Sequence, residues 1–208
     1  MKIKIVENFL KKKDFKILTS LNLKKINQNE IIVYNNIIDK NNVVKSTCLN
    51  NNIIRAIHNK YHPVALNILK ELNQNKVELY EYSEFHIIET GAKYSFPVHD
   101  DTPNKLLSGV IYLKPKNNFG TFFYKNKNGD KKKEVKWKQN RGVFFSRLEQ
   151  NSWHSFKGDC KSNRLVLVYN LMTTKIKKVA ELEKRSYFIM QFRYILNPYL
   201  YRVFGFTI

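Results

Sequence analysis

Hydrophobic and polar positions follow two different periods along the chain. Up to about residue 76 the apolar residues fall mainly at helical spacing. "IKIVENFLKKKDFKILTSLNLKKI" predicts a short strand and then a helix whose apolar face is Phe15, Ile17, Leu18 and Leu21. Residues 31–46 are ambiguous, with "IIVY" and "NVV" as possible short strands. In "NNNIIRAIHNKYHPVALNILKELNQNK", Ile54, Ile57, Tyr61, Ala65, Ile68 and Leu72 recur at near-helical spacing, and Pro63 is expected to kink or split the helix. From Val77 the period changes to two. "VELYEYSEFHIIET" is followed by strand candidates at 93–99, 105–114, 120–125, 133–137, 142–147, 153–157 and 164–172. Turn signals such as Asn128-Gly129 separate them. A helical segment over roughly 176–195 and an aromatic tail close the chain.

Helices followed by a run of short strands predict a mainly β fold with flanking helices, a sandwich or barrel with helices packed outside. Residues 1–76 form the supporting N-terminal part, 77–172 the β core and 173–208 the tail, all within one domain. At 43% hydrophobic residues, 208 residues suffice for a sizeable core. Cys48 and Cys160 are too few and too far apart for a disulfide framework or a metal knuckle. The start lacks the long apolar stretch and cleavage site of a signal peptide, so a cytoplasmic location is expected.

The formal charge of +20 changes the picture more. It fits a solvated lysine surface, or attraction to nucleic acid, anionic lipid or an acidic partner. The densest run, residues 125–138, predicts a hairpin with a basic tip. In the tail, residues 185–208, aromatics alternate with Arg185, Arg193 and Arg202. Such a segment can touch a membrane interface or form a dimer contact, but packing on the domain is expected, with Asn197-Pro198 breaking the helix.

Candidate chemistry centres on "YSFPVHDDTPNKLLSGVIYL". Residues i and i+2 of a strand share a face, so His99 and Asp101 present an imidazole and a carboxylate together. Asp100 faces the other way and is expected to be replaceable without loss of iron or turnover. His154, late in the β region, supplies the third member of a two-histidine, one-carboxylate facial triad suited to Fe(II). Arg164 opens the apolar strand "RLVLVYNLM" and needs a buried anion there; a dicarboxylate would serve, with the Tyr112 hydroxyl on the same carboxylate. Taken one at a time, these read better as a structural histidine, an edge arginine and a core tyrosine; taken jointly, in this order along short strands, they do not. A basic, non-catalytic binding module for nucleic acid or another anionic partner stays open.

The order His-x-Asp, Tyr, His, Arg along short strands resembles the Fe(II)- and 2-oxoglutarate-dependent dioxygenases, most nearly the prolyl-4-hydroxylase-like branch. The resemblance covers residues 77–172 and rests on Gly91 and Tyr94 before His99-x-Asp101, Tyr112-Leu113, "FGTFFY", Gly142 to Ser146, His154-Ser155 and Arg164. It implies a double-stranded β-helix (jelly-roll, cupin-like) core. It also implies Fe(II) on His99, Asp101 and His154, and 2-oxoglutarate held by Arg164, Tyr112 and Tyr94. O2 would be consumed, succinate and CO2 released, and a C–H bond hydroxylated in a protein side chain or small metabolite. Val168 stands where the family often has a hydroxyl, and Asn170 where the nucleic-acid demethylases have a second arginine. Nucleic acid is therefore the less favoured substrate.

Overall fold

The computed structural model describes residues 1–39 and 43–204. Strand β1 (Ile3–Val6), helix α1 (Lys12–Thr19) and strands β2 (Ile31–Tyr34), β3 (Ile37–Asp39) and β4 (Val43–Lys45) precede the long helix α2 (Asn51–Asn73). Strands β5 (Tyr82–Thr90), β6 (Ser95–His99), β7 (Lys105–Lys114) and β8 (Thr121–Phe123) follow, then β9 (Lys133–Val135), β10 (Gly142–Phe145), β11 (His154–Lys157) and β12 (Arg164–Met172). Helices α3 (Ile176–Glu183) and α4 (Tyr187–Phe204) come last. The ambiguous stretch 31–46 thus resolves into three short strands, although residues 40–42 lie outside the described residues. Residues Gln74–Leu79 form 3-10 turns, so the strand period starts at Tyr82 rather than Val77.

The strands form two antiparallel sheets. The larger has eight strands, in the order β1-β10-β7-β12-β5-β3-β4 with β2 also on β5; the smaller has four, in the order β6-β11-β8-β9. The architecture is mainly antiparallel β with a few helices, consistent with a jelly-roll-like fold. Alternation assigns the two faces of the large sheet. Leu165, Leu167, Tyr169 and Leu171 of β12 join Phe85, Ile87, Leu107, Ile111 and the α2 residues Ile54, Ile57, Ala65 and Leu69 in the main core. Tyr112, Val143, Phe145 and Val166 point the other way, into a second cluster with Phe123 and Val135 of the small sheet and Trp137 just after it. Gly109 and Gly142 make room for the Phe144 ring, which a Cβ at either position would approach to 2.5 and 2.6 Å.

Helix α2 runs unbroken through Pro63, against the expected split. A proline inside a helix costs about 3 kcal/mol, whereas each fully buried Ile or Leu contributes about 1.5–3 kcal/mol. Buried Ile54, Ile57, Ile68 and Leu69 outweigh it, and exposed Pro63 and Asn59 leave the freed carbonyl open to solvent. Asn50 caps the helix by accepting from the Asn52 N–H at 2.8 Å. The basic run forms the expected hairpin, with Thr121–Phe123 paired to Lys133–Val135 and Gly129 at positive φ in the turn.

The tail departs from expectation. Helix α4 continues through Asn197-Pro198, and it docks with its polar residues inward. Met190, Arg193 and Asn197 are buried, while Phe188 (82%), Phe192 (56%), Ile195 (61%) and Tyr199 (59%) are exposed. Buried carboxylates on the domain provide the reason, because they draw Arg193 in. Among the described residues, no helix is long and apolar enough to cross a membrane.

Candidate metal centre

Strands β6 and β11 pair so that His99 lies directly opposite His154, with ring centroids 4.1 Å apart. Asp101 follows β6 at the start of the turn into β7. One ligating atom from each of His99, Asp101 and His154 lies within 4.8 Å of the others. Backbone carbonyls orient both rings. Nδ1 of His99 is 3.0 Å from the Pro97 carbonyl, and Nδ1 of His154 is 2.8 Å from that of Ser152. A carbonyl only accepts, so each Nδ1 carries the hydrogen and each Nε2 offers its lone pair. Asp101 accepts from Lys105 Nζ at 2.6 Å and Ser108 Oγ at 2.5 Å. Burial alone would raise its pKa, but the Lys105 charge and the two histidines hold it well below the usual carboxylate range. Burial, reinforced by His154, pushes His99 down to about 3. A neutral imidazole beside an ionised carboxylate is the protonation state that ligation requires, so this donor set fits a divalent ion of the Fe(II) type.

The triad opens onto a cavity of about 320 Å³ between the two sheets, and Arg164 lies on its wall. Cross-strand register sets that wall out in rows. Arg164 pairs with Thr90, Val166 with Ile88, Val168 with His86 and Asn170 with Glu84. Arg164 is 3% exposed, and its guanidinium lies 4.6 Å from the Phe156 ring and 5.1 Å from the Trp137 ring. Burial lowers its pKa to about 10. Among the described residues, its Nε has no hydrogen-bond partner, nor has the neighbouring Thr90 hydroxyl. A buried cation with an unfilled donor fits a carboxylate ligand.

Two residues expected at the cosubstrate, Tyr112 and Tyr94, are not among those lining the cavity. Tyr112 is fully buried and stacked on Trp137 at 4.4 Å. Its hydroxyl bonds the Thr121 side chain at 2.8 Å and accepts the Thr121 N–H at 2.9 Å. Thr121, not Tyr112, lines the cavity. Tyr94 is also outside the lining, its ring 6.1 Å from that of Phe156, which does line it. Thr121, Lys105 and Ser108 escaped the sequence reading. The "GT" of "FGTFFY" is the only signal for Thr121, and nothing marks Lys105 or Ser108 apart from neighbouring polar positions.

Asp100 does turn away from the cavity, but it is no bystander. It accepts from Ser152 Oγ and from the Gln150 N–H at 2.8 Å, which ties the turn after β6 to the loop before β11. Arg147 and Arg193 lie 4.0 and 3.8 Å from it. Both arginines pair with Glu149, and Arg147 also pairs with Glu183 at 3.0 Å. Lys76 pairs with Glu183 at 2.5 Å. Three cations and three anions thus balance in one buried cluster. Arg147 Nε further donates to the Asp101 carbonyl at 3.1 Å, so the cluster braces the backbone of a triad member.

The arrangement can be compared with solved structures. A Pseudomonas putida prolyl-4-hydroxylase matches with a TM-score of 0.54 at 16% identity, over 82% of this chain and 92% of that one. The fold is that of the prolyl-4-hydroxylase-like Fe(II)/2-oxoglutarate oxygenases. A 2OG-Fe(II) oxygenase family oxidoreductase from Burkholderia pseudomallei shares this oxygenase fold (TM-score 0.58, 12% identity, 82% of this chain and 85% of that one). So does a viral collagen prolyl hydroxylase from Paramecium bursaria Chlorella virus-1 (TM-score 0.51, 11% identity, 84% and 97%). No protein-family model and no curated protein matches the sequence. A larger groove of about 700 Å³ beside Lys24, Lys25, Lys114 and Lys116 contains no member of the triad.

Proposed function

We propose that this chain is an Fe(II)- and 2-oxoglutarate-dependent oxygenase that hydroxylates a C–H bond of a protein side chain or a small metabolite. The supporting observation is that one cavity wall gathers two imidazole Nε2 atoms, an ionised carboxylate and a buried arginine with an unfilled donor. Strands β5 to β12 are read as a double-stranded β-helix, with β5, β7, β10 and β12 in one sheet and β6, β8, β9 and β11 in the other.

His99, Asp101 and His154 would hold the iron. Iron and 2-oxoglutarate, when bound, supply the oxidising power, with O2 consumed and succinate and CO2 released. Arg164 would receive a carboxylate of 2-oxoglutarate, with Thr121 also on the cavity wall. Tyr112 acts through Thr121, whose side chain and N–H it fixes. Tyr94 supports Phe156 at the cavity wall. The apolar surfaces of Ile88, Val166 and Phe145 keep water from the reacting centre. The solved hydroxylases of this fold include one in complex with 2OG and one in complex with a hypoxia-inducible-factor peptide, which supports the cosubstrate and a protein substrate.

Anaerobic addition of Fe(II) and 2-oxoglutarate tests the reading. A weak visible charge-transfer band should appear with the wild type and be lost in Asp101→Ala. A wild type that binds neither would refute it, and salt-dependent nucleic-acid binding in its place would favour the basic binding module.

A further inference from the structure

The cavity wall has a second polar end. Along the inner face of β12, Arg164 is followed by apolar Val166 and Val168 and then by Asn170, about 20 Å further along the strand at 3.3 Å per residue. Asn170 is 1% exposed and lines the cavity. Its Nδ2 donates to Glu84 Oε2 at 2.9 Å. A carboxylate only accepts, so this bond fixes which way the amide points. The outcome is an Asn170 Oδ1 that is buried and has no hydrogen-bond partner among the described residues.

Register places that oxygen close to the metal centre. Val168 pairs with Val110 and Leu171 with Leu107, which sets Asn170 beside Ser108. Ser108 in turn donates to Asp101. The charged groups nearby are already committed. Lys105 is bound to Asp101 at 2.6 Å, and Glu84 is held by Asn170 and lies 3.5 Å from His86 Nε2. The Arg164 end therefore offers unfilled donors, and the Asn170 end offers an unfilled acceptor next to a carboxylate.

We propose that Asn170, held by Glu84, is the substrate-orienting contact of this cavity: its Oδ1 accepts a hydrogen bond from a neutral N–H or O–H group near the reacting carbon. The adjacent Glu84 carboxylate disfavours a carboxylate or phosphate at the same place. The substrate class is then an amide-like or hydroxyl-bearing group, such as a peptide amide, and not a nucleotide phosphate. This rests on the oxygenase reading above and adds the chemistry of the second substrate to it.

The test uses the full chain loaded with Zn(II), with and without 2-oxoglutarate, and two probes of equal size, butyramide and butyrate. Ligand-observed NMR gives their affinities, and tryptophan fluorescence gives that of 2-oxoglutarate. With saturating 2-oxoglutarate occupying the metal and the Arg164 end, butyramide should bind about tenfold more tightly than butyrate, the discrimination expected of one buried hydrogen bond. Asn170→Leu should remove that preference and leave 2-oxoglutarate affinity unchanged. Glu84→Gln, which frees the amide to turn and removes the charge, should raise butyrate affinity. Equal binding of the probes, binding of neither, or an unchanged ratio in both variants would overturn the proposal. Failure of the oxygenase reading shows separately, as a wild type that does not bind 2-oxoglutarate.

Discussion

Asp100→Ala tests the claim that the buried charge cluster braces the metal centre. The substitution leaves the Ser152 hydroxyl and the Gln150 N–H without their acceptor and removes one of three anions facing Lys76, Arg147 and Arg193. Removing one partner of a buried ion pair typically costs about 3–5 kcal/mol, because the remaining charge stays buried and uncompensated. For a chain of this length, that corresponds to a fall in melting temperature of roughly 6–20 °C. Asp100→Asn retains an acceptor oxygen and loses only the charge, so it should cost about 1.5–3 kcal/mol. Both His99 and His154 lie on elements that Asp100 ties together, so iron affinity should also fall, by about 10- to 100-fold as for other outer-sphere partners. The assays are thermal unfolding of the metal-free chain and competition for Fe(II) with a chelating dye under anaerobic conditions. An Asp100→Ala protein with wild-type melting temperature and iron affinity would refute the bracing role and restore the reading of Asp100 as a neutral bystander.

Arg164→Leu should raise the 2-oxoglutarate requirement about 10- to 100-fold with iron affinity unchanged, from loss of a charge-assisted bond, as measured by cosubstrate titration of succinate release. Thr121→Val should weaken 2-oxoglutarate binding as much as or more than Tyr112→Phe, because Thr121 lines the cavity and Tyr112 acts through it; the reverse order would show that the Tyr112 hydroxyl reaches the cosubstrate itself. Acid should destabilise the fold through His62, whose pKa burial and the stacked His58 depress to about 4. The unfolded chain takes up that proton near pH 6.5, so stability is complete above about 6.5 and falls as pH drops towards 4, by about 2–3 kcal/mol, and His62→Gln should flatten this in urea unfolding at pH 7.5 and 4.5.

Much of the β core was legible because alternation survives burial. The 105–114 and 164–172 strands appear with those bounds, and the two histidines and Asp101 do meet, although Asp101 lies past the end of β6 and is placed by the turn, not by strand alternation. What could not be read depends on partners far apart in sequence. Lys76 finds Glu183 across 107 positions, and Arg147 finds Glu183 across 36. No periodicity links such residues. Tyr112 was assigned by its face alone, and the face is right: it points into the inner cluster. Its hydroxyl is engaged by Thr121 and its ring is stacked on Trp137, partners that alternation along one strand cannot reveal. The tail docks on the domain as expected, but by a different face, for a related reason. Aromatics at 188, 192 and 199 suggest a face seeking the core, yet a buried carboxylate cluster holds Arg193, and that turns the aromatics outward.

Strand β12 shows why stability and chemistry separate so sharply in this fold. Its odd residues, Leu165, Leu167, Tyr169 and Leu171, face α2 and carry the main core. Its even residues, Arg164, Val166, Val168 and Asn170, line the cavity. A one-residue slip would bury Arg164 and Asn170 among leucines, where nothing could satisfy them, so register is enforced from both faces. The strand can therefore carry an unpaired guanidinium donor and an unpaired amide oxygen at opposite ends of one wall. The cost of those two unfilled groups is offset by four fully packed side chains behind them. Substitutions at odd positions should then appear first in the melting temperature, and those at even positions first in the binding of 2-oxoglutarate or substrate. That division follows from strand geometry alone.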